Sequence, residues 1–360
     1  MDWLLESTES FCQERAVFNA VMDSIAILDG KDKNRTKNSI PEILSEALGV
    51  SFDSHIGHDF IEDFESRYDY YHRVEEKIAF DLELLNKITR GGLSRKSLNI
   101  ILAGTGVGKT LAMCHFAAAN LSMGKNVLYI TMEMAEEKIA ERIDANLLNI
   151  ASEDLQQLPR ELYENKIARL KTKTQGKLII KEYPTKTAST SVIKNHLKRI
   201  ASSGQKIDMI IVDYGDLLNP TVRYKEKRTE LETIYEELRA IAMEFICPVW
   251  TASQTNRSGL NAEVVTMESI SEAFNKCFVA DFIFSVSRTV DDKKTNSGRI
   301  FIAKNRNGPD GIVMPLYMDT SVVKMEVLED QKPENIIEAA KAKKPRNKKQ
   351  EIFDKFRTAK

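Results

Sequence analysis

The chain has 360 residues, 42% of them hydrophobic, enough to bury the core of one large or two ordinary domains. Lys and Arg number 52 against 53 Asp and Glu; this balance neither demands nor excludes nucleic acid, because a local basic groove can hide in a neutral total. Cys12, Cys114, Cys247 and Cys277 lie far apart with no C-x-x-C, which argues against a disulfide framework or a zinc site and for buried thiols of a cytosolic protein. No apolar run reaches membrane-spanning length and the first residues do not read as a signal peptide, so a soluble, intracellular protein with no membrane partner is expected.

Taken in chain order, residues 1 to about 28 carry Trp3, Leu4, Leu5, Phe11, Ala16, Phe18, Val21, Ile25 and Ile27 at near-helical spacing, which predicts a helix. Lys31 to Asn38 reads as a polar, basic connector. Ile40 to Gly49 predicts a short helix, with Pro41 in its first turn and Gly49 as its stop. Its apolar face (Ile43, Leu44, Ala47, Leu48) is small, so this helix either packs locally or docks on a neighbouring subunit. Asp53 to Ile78 is mixed, aromatic and acidic, and leads into Phe80 to Asn86 just ahead of the core.

From Leu98 strand and helix alternate, the pattern of an α/β fold with a mainly parallel, twisted sheet flanked by helices. Strands are expected at 98–103, 127–132, 177–182, 208–213, 248–252, 281–286, 299–303 and 312–317. Helices are expected near 109–123, 135–148, 161–171, 190–202 and 228–246. The last strands have few helices between them, so the far end of the sheet is expected to turn antiparallel. Residues 331–360 hold ten Lys or Arg against four Asp or Glu, which reads as a solvated, mobile tail or as an arm for DNA or a partner protein. The expected divisions are 1–38, 39–79, 80–329 and 330–360.

Ala103-Gly104-Thr105-Gly106-Val107-Gly108-Lys109-Thr110-Leu111 leads from the first core strand into the helix expected near 109–123. Glycines at 104, 106 and 108 let backbone N–H groups turn toward an anion, and the helix adds its positive N-terminus. Lys109 can reach the outer phosphates of a nucleotide and Thr110 can ligate Mg²⁺. The usual first glycine of such a loop is Ala103 here. Hydrolysis would also need a metal-side carboxylate, a residue that activates water and a sensor of the γ-phosphate. Asp213, ending the apolar run Met209 to Asp213 roughly a hundred residues on, fits the first. Glu133, at the carboxyl end of the next strand, fits the second, with an N-cap acid as its alternative. Gln254, at the end of 248–252 and its extension, fits the third, or is a polar loop residue. Lys304 and Arg306, two apart in an extended segment before the turn signal Asn307-Gly308, either reach a neighbouring subunit's phosphate or form a basic hairpin tip.

The ordered set AGTGVGKT, LYITMEM, MIIVDY, PVWTASQTNR and IAKNRNGP resembles the ATPase domain of the DnaB-type hexameric replicative helicases. The wording LYITMEMAEEKIAERIDANLL and Ala103 are most similar to the branch found in large tailed phages. The resemblance covers about residues 80–320. It implies a RecA-like core, a homohexamer with ATP (or another NTP) and Mg²⁺ at the interfaces, and 5′ to 3′ movement on single-stranded DNA at a replication fork. It also implies primase, helicase-loader and polymerase contacts and a place in the host cytoplasm. Position by position, it makes Lys109 and Thr110 the phosphate and Mg²⁺ ligands, Glu133 the catalytic acid and Asp213 the second metal-side carboxylate. Gln254 becomes the sensor, and Lys304 and Arg306 become the lysine and arginine finger acting in trans. The helix at 41–48 resembles the linker helix that docks on the adjacent subunit.

Two departures stand out. Only about 40 residues precede the linker-like helix, so the family's N-terminal helical domain is expected to be absent or reduced to a remnant at 1–38. In the channel loop, Glu272 matches, but the family's Arg falls on Ser271 and its Gly on Phe274, leaving Asn275 and Lys276 as substitute DNA contacts. A second channel loop, Asn219 to Arg228, offers Arg223, Lys225, Lys227 and Arg228 to a phosphate backbone, or is a solvated charge run. Two other readings stay open: a RecA-like recombination or signalling ATPase without unwinding activity, and a nucleotide-binding docking module.

Overall fold

Residues 2–32, 37–50, 57–73, 75–255, 264–266 and 274–328 are described by a computed structural model of the chain. They divide into two units, Met1–Val74 and Glu75–Lys360. The basic tail and Glu272 lie outside the described residues, as does the side chain of Asn275.

In the first unit, α1 (Asp2–Leu28) is followed by a 3-10 turn at Lys37–Ser39, α2 (Ile40–Leu48) and α3 (Phe64–His72). The helix predicted near 40–49 is α2, with Pro41 in its first turn. It packs on α1: Ala20, Ser24, Ile27 and Ala47 are buried, and the Gln13 side chain donates to the Val50 carbonyl at 3.0 Å. The expected regions 1–38 and 39–79 thus fall, as far as Val74, in this one unit. Leu48 remains 75% exposed on it.

The second unit begins earlier than residue 80. Ile78 and Leu93 exchange both backbone hydrogen bonds (2.9 and 2.8 Å), which ties residues 75–79 to the core. After α4 (Glu83–Thr89) come β1 (Leu98–Ala103), α5 (Lys109–Ser122), β2 (Val127–Thr131), α6 (Glu136–Leu148), α7 (Ser152–Leu155) and α8 (Arg160–Lys173). Next are β3 (Leu178–Glu182), α9 (Thr190–Ser202), β4 (Met209–Asp213), α10 (Lys227–Glu244) and β5 (Val249–Gln254). The unit closes with β6 (Phe282–Ser287), α11 (Val290–Lys294), β7 (Ser297–Asn305), β8 (Val313–Asp319) and β9 (Lys324–Val327).

The nine strands of the described residues form one sheet in the order β3-β2-β4-β5-β1-β6-β7-β8-β9. From β3 to β6 the pairings are parallel, and from β6 to β9 antiparallel, as expected for the far end. β1, β2 and β4 are buried throughout because helices cover both faces, which is why they read as unbroken apolar runs. Ile101, Tyr129, Ile211 and Trp250 face α5 and α6, and Leu102, Ile130, Val212 and Val249 face α9 and α10. β7 and β8 instead alternate buried and half-buried residues, the pattern of a sheet covered on one face.

Beneath α5 sits an aromatic cluster. Phe116 stacks on Trp250 at 5.2 Å between ring centroids, and Phe80, Phe282 and Phe284 meet Trp250 edge-on at 5.7–6.3 Å. Such pairs each add about 0.5–1.5 kcal/mol beyond area burial. The cluster seats α5 on the sheet and so fixes where its N-terminus points.

Three buried thiols are as expected; Cys12 is only half-buried. No described helix is long and apolar enough to cross a membrane.

Candidate functional site

The strand order places β2, β4, β5 and β1 side by side, so groups just past their carboxyl ends converge on one crevice. A cleft of about 550 Å³ opens there, lined by Thr105, Gly106, Gly108, Lys109, Thr110, Leu111, Glu133, Tyr214 and Gln254, among others. Ala103 is the last residue of β1, fully buried and in register with Gln254. At that position the backbone is still strand, so alanine replaces glycine at no conformational cost. Gly106 (φ 68°) and Gly108 (φ 125°) are different: both occupy backbone regions that L side chains disfavour. A Cβ on Gly108 would also stand 2.8 Å from Met318 Sδ.

α5 starts at Lys109 with no side-chain cap on its first turn, which leaves those N–H groups for an anion. Lys109 Nζ donates to the Ala103 and Gly104 carbonyls at 3.3 and 3.2 Å and lies 5.9 Å from the Tyr214 ring centroid. Burial lowers its pKa, opposed by the charges of Glu133, Asp213 and Asp216. A phosphate would replace two long bonds to neutral carbonyls with bonds to an anion.

Asp213 ends β4 with no exposed surface. Tyr129 donates its hydroxyl to Oδ2 at 2.8 Å, while Oδ1 is buried without a hydrogen-bond partner. Burial pushes the carboxyl up to about 6, opposed by the Tyr129 and Thr110 hydroxyls. An orphaned buried carboxylate oxygen near a threonine hydroxyl fits a divalent cation. Among the described residues no cluster of three or more His, Cys, Asp or Glu surrounds such a cation. A carboxylate and a hydroxyl are hard oxygen donors of the kind that suit Mg²⁺, which takes few protein ligands and completes its shell with water and phosphate.

Glu133 lies two residues beyond β2, exposed at the cleft. Thr131 fixes its turn, donating to the Met134 carbonyl at 2.8 Å and accepting from the Met134 N–H at 3.2 Å. The N-cap of α6 is Ala135, so Glu133 is not a capping acid. Gln254 Nε2 donates to Thr105 Oγ1 at 2.5 Å, linking the end of β5 to the loop.

Several residues that line the cleft went unread in the sequence. Lys138, Glu141 and Arg142 of α6 line it, and Arg142 lowers the Asp213 pKa. Their spacing of three and four residues on the helix after Glu133 was the available signal. Thr320 and Val323 come from the β8–β9 turn. They had no signal, because a four-residue β9 is too short to show a period.

Lys304 and Arg306 do not line this cleft. Lys304 Nζ donates to the Phe278 and Cys277 carbonyls at 2.8 and 3.3 Å, and burial lowers its pKa, reinforced by Arg306. Arg306 pairs with Asp281 at 3.2 Å. Both lean toward the same short segment, as their spacing predicted. The turn after them leaves no room for a Cβ at Gly308, which lies against the Ile88 carbonyl.

Arg223, Lys225, Lys227 and Arg228 are exposed. The last two occupy the first turn of α10, where cations oppose the helix dipole by about 0.3–1 kcal/mol. Lys276 requires a correction. It is 1% exposed and bound to both Asp216 oxygens, so it is not presented to DNA.

The family model for the DnaB-like helicase C-terminal domain matches residues 78–326. The DnaB-like replicative helicase of Enterobacteria phage T4 is 37% identical over 321 residues, spanning 85% of this chain and 68% of that protein. The replicative DNA helicase DnaB of Helicobacter pylori is 27% identical over 169 residues, and the match spans only 34% of its length. Among solved structures, an isolated ATPase domain matches with a TM-score of 0.64 at 18% identity, over 75% of this chain and all of that one. A DnaB-like replicative helicase described with its primase interactions matches at 0.62 and 17%, over 90% of this chain and 78% of that one. These structures establish a shared RecA-like fold, and the sequence matches establish kinship. The chain belongs to the DnaB-like helicase family and, with it, to the NTP-hydrolysing DNA helicases.

Proposed function

We propose that the chain assembles into a ring, six-membered as in its family, and hydrolyses ATP to move 5′ to 3′ on single-stranded DNA and open the duplex at a replication fork. One observation carries the reading: Lys109, Thr110, Glu133 and Gln254 line a single cleft, with Asp213 buried against Thr110, while Lys304 and Arg306 lie outside it. A site lined by Lys109, Lys138 and Arg142, in a chain whose Lys304 and Arg306 lie outside it, fits nucleotides shared between neighbouring subunits.

In this reading the loop amides and Lys109 hold the phosphates. Thr110 and Asp213 would hold Mg²⁺, which neutralises charge on the bound phosphates. Glu133, exposed at the cleft and unbuffered by a cap, orients and deprotonates the attacking water. Gln254 registers the γ-phosphate and passes its loss to Thr105 and β5. Lys304 and Arg306 exchange carbonyls and Asp281 for a neighbour's γ-phosphate. Arg223, Lys225, Lys227 and Arg228 track the DNA backbone without reading bases. The primase described with one structural relative motivates a primase contact here, and loader and polymerase contacts follow from the same replication role. Kinship with a phage helicase motivates a place in the cytoplasm of a bacterial host.

The test is strand separation of a forked duplex with ATP and Mg²⁺, with Lys109→Ala as control. Separation by the wild type alone supports the reading. DNA-stimulated hydrolysis without separation favours a recombination or signalling ATPase. Tight nucleotide binding without turnover favours a docking module.

A further inference from the structure

Tyr129 is fully buried on β2, within the apolar core that faces α5 and α6. A phenylalanine would fill the same volume there with no hydroxyl to bury. That hydroxyl has one proton to give, and its two contacts fix where the proton goes. Cys114 Sγ donates to the Tyr129 oxygen at 3.8 Å, and Tyr129 donates to Asp213 Oδ2 at 2.8 Å. An ionised carboxylate can only accept, so the relay runs in one direction, from thiol to hydroxyl to carboxylate.

Three elements meet in this relay. Tyr129 stands opposite Ile211 in the parallel pairing of β2 with β4, and Asp213 lies two residues further along β4, on the same face. Cys114 follows Thr110 by four residues on α5, so their side chains share a face of that helix, one turn apart. The Thr110 hydroxyl acts on the same carboxyl. α5 therefore reaches Asp213 by two routes, through Thr110 and, one turn later, through Cys114 and Tyr129.

One atom stays unmatched. Asp213 Oδ1 is buried with no hydrogen-bond partner, and a second protein donor would have removed the cost of leaving it so. Tyr129 occupies Oδ2 alone, which fixes the rotation of the carboxylate and leaves Oδ1 as its open acceptor. A carboxylate held in this way offers a cation one oxygen, which suits the octahedral shell of Mg²⁺, whereas the larger Ca²⁺ often takes both.

We propose that Tyr129 is a positioning residue for the divalent cation: by holding Asp213 through Oδ2 it presents Oδ1, beside Thr110, to the metal of the bound nucleotide. Cys114 satisfies the tyrosine oxygen, so the tyrosine's proton is committed to Asp213. Tyr129 does not line the cleft and acts only through the carboxylate. The proposal deepens the nucleotide-site reading above and rests on it.

The test uses the full chain with Tyr129→Phe, which keeps the packed ring and removes only the hydroxyl. Mn²⁺ is the metal probe, its binding read by electron paramagnetic resonance with a non-hydrolysable ATP analogue present and with Mg²⁺ or Ca²⁺ as competitor. Tyr129→Phe should weaken Mn²⁺ and Mg²⁺ by about tenfold or more, the loss typical when an outer-shell partner of a metal ligand is removed. Ca²⁺ should lose less, because Oδ2 becomes free to join it. Affinity for the analogue measured in EDTA should stay within about twofold, since the hydroxyl acts through the metal ligand alone. Wild-type Mn²⁺ and Mg²⁺ affinity in Tyr129→Phe overturns the proposal. So does an equal loss of analogue binding with and without metal, which would make Tyr129 a packing residue only. Failure of the wild type to bind Mn²⁺ with the analogue would overturn it together with the nucleotide-site reading itself.

Discussion

The cleft at the ends of β1, β2, β4 and β5 and the segment around Lys304 and Arg306 are opposites in how their polar groups are satisfied. In the cleft, Asp213 Oδ1 has no partner, Glu133 is exposed and Lys109 makes only long bonds to carbonyls. Around β7, Lys304 and Arg306 are both engaged, by two carbonyls and by Asp281. The first region is poised to receive a ligand from solution. In the second the cations are already satisfied, and on the proposed function a phosphate would have to outcompete those partners. The sheet accounts for the difference. Parallel strands covered on both faces have only their ends free for chemistry, whereas the antiparallel side, covered on one face, can turn cations outward.

That contrast is most directly broken at Arg306. On the proposed role in trans, Arg306→Ala should lower kcat by about 10³ or more, the loss typical of an arginine finger, with ATP affinity nearly unchanged in a fluorescent-nucleotide titration. If Arg306→Ala keeps full DNA-stimulated ATPase while Lys109→Ala is dead, the assignment of the outlying cations fails. Stability sharpens the contrast next. Trp250→Ala, under α5, should destabilise the second unit by about 3–5 kcal/mol in urea unfolding, whereas Val290→Ala, at a residue 69% exposed, should change it by at most about 0.5 kcal/mol. Equal effects would mean that the aromatic cluster does not anchor the loop helix.

The smallest effect is in pH. Asp213 is raised from 3.8 to about 6 by burial, so without metal the folded state keeps a proton that the unfolded chain releases. Its contribution to stability is greatest below pH 3.8 and is lost as pH rises through about 6. Urea midpoints measured without Mg²⁺ should therefore show a downward component over that window that Asp213→Asn removes. Mg²⁺ binding should weaken below about pH 6 in the wild type, as the carboxylate takes up its proton. A midpoint that rises across the window equally in both proteins would contradict an orphaned, metal-ready carboxylate.

Much of the fold was legible because its strands are short apolar runs between helices of regular period. The eight strands expected from Leu98 onward all exist, most within a residue or two of their predicted limits. β9 and α11 were not legible, since four or five residues carry too little periodicity. The tie of residues 75–79 to the core was not legible, because the Ile78–Leu93 pairing leaves no local trace. In the site, glycines, a lysine and strand-ending carboxylates announced themselves, whereas Arg142 and Thr320 line the cleft only once helix and turn have folded over it.

By itself the sequence determined the alternation of elements, the phosphate loop, and the order in which Lys109, Glu133, Asp213 and Gln254 follow one another. These are local properties, set by the backbone freedom of glycine and by the burial period of each strand. Tertiary structure alone decided the fate of the cations. Lys276, which by its position in the chain looked like a DNA contact, lies against Asp216, sixty residues away. Lys304 and Arg306 hold the segment that follows Lys276 instead of the chain's own cleft. A charge has no period to read; its partner is fixed only when the sheet brings distant strand ends together and burial makes an unpaired charge too costly to keep.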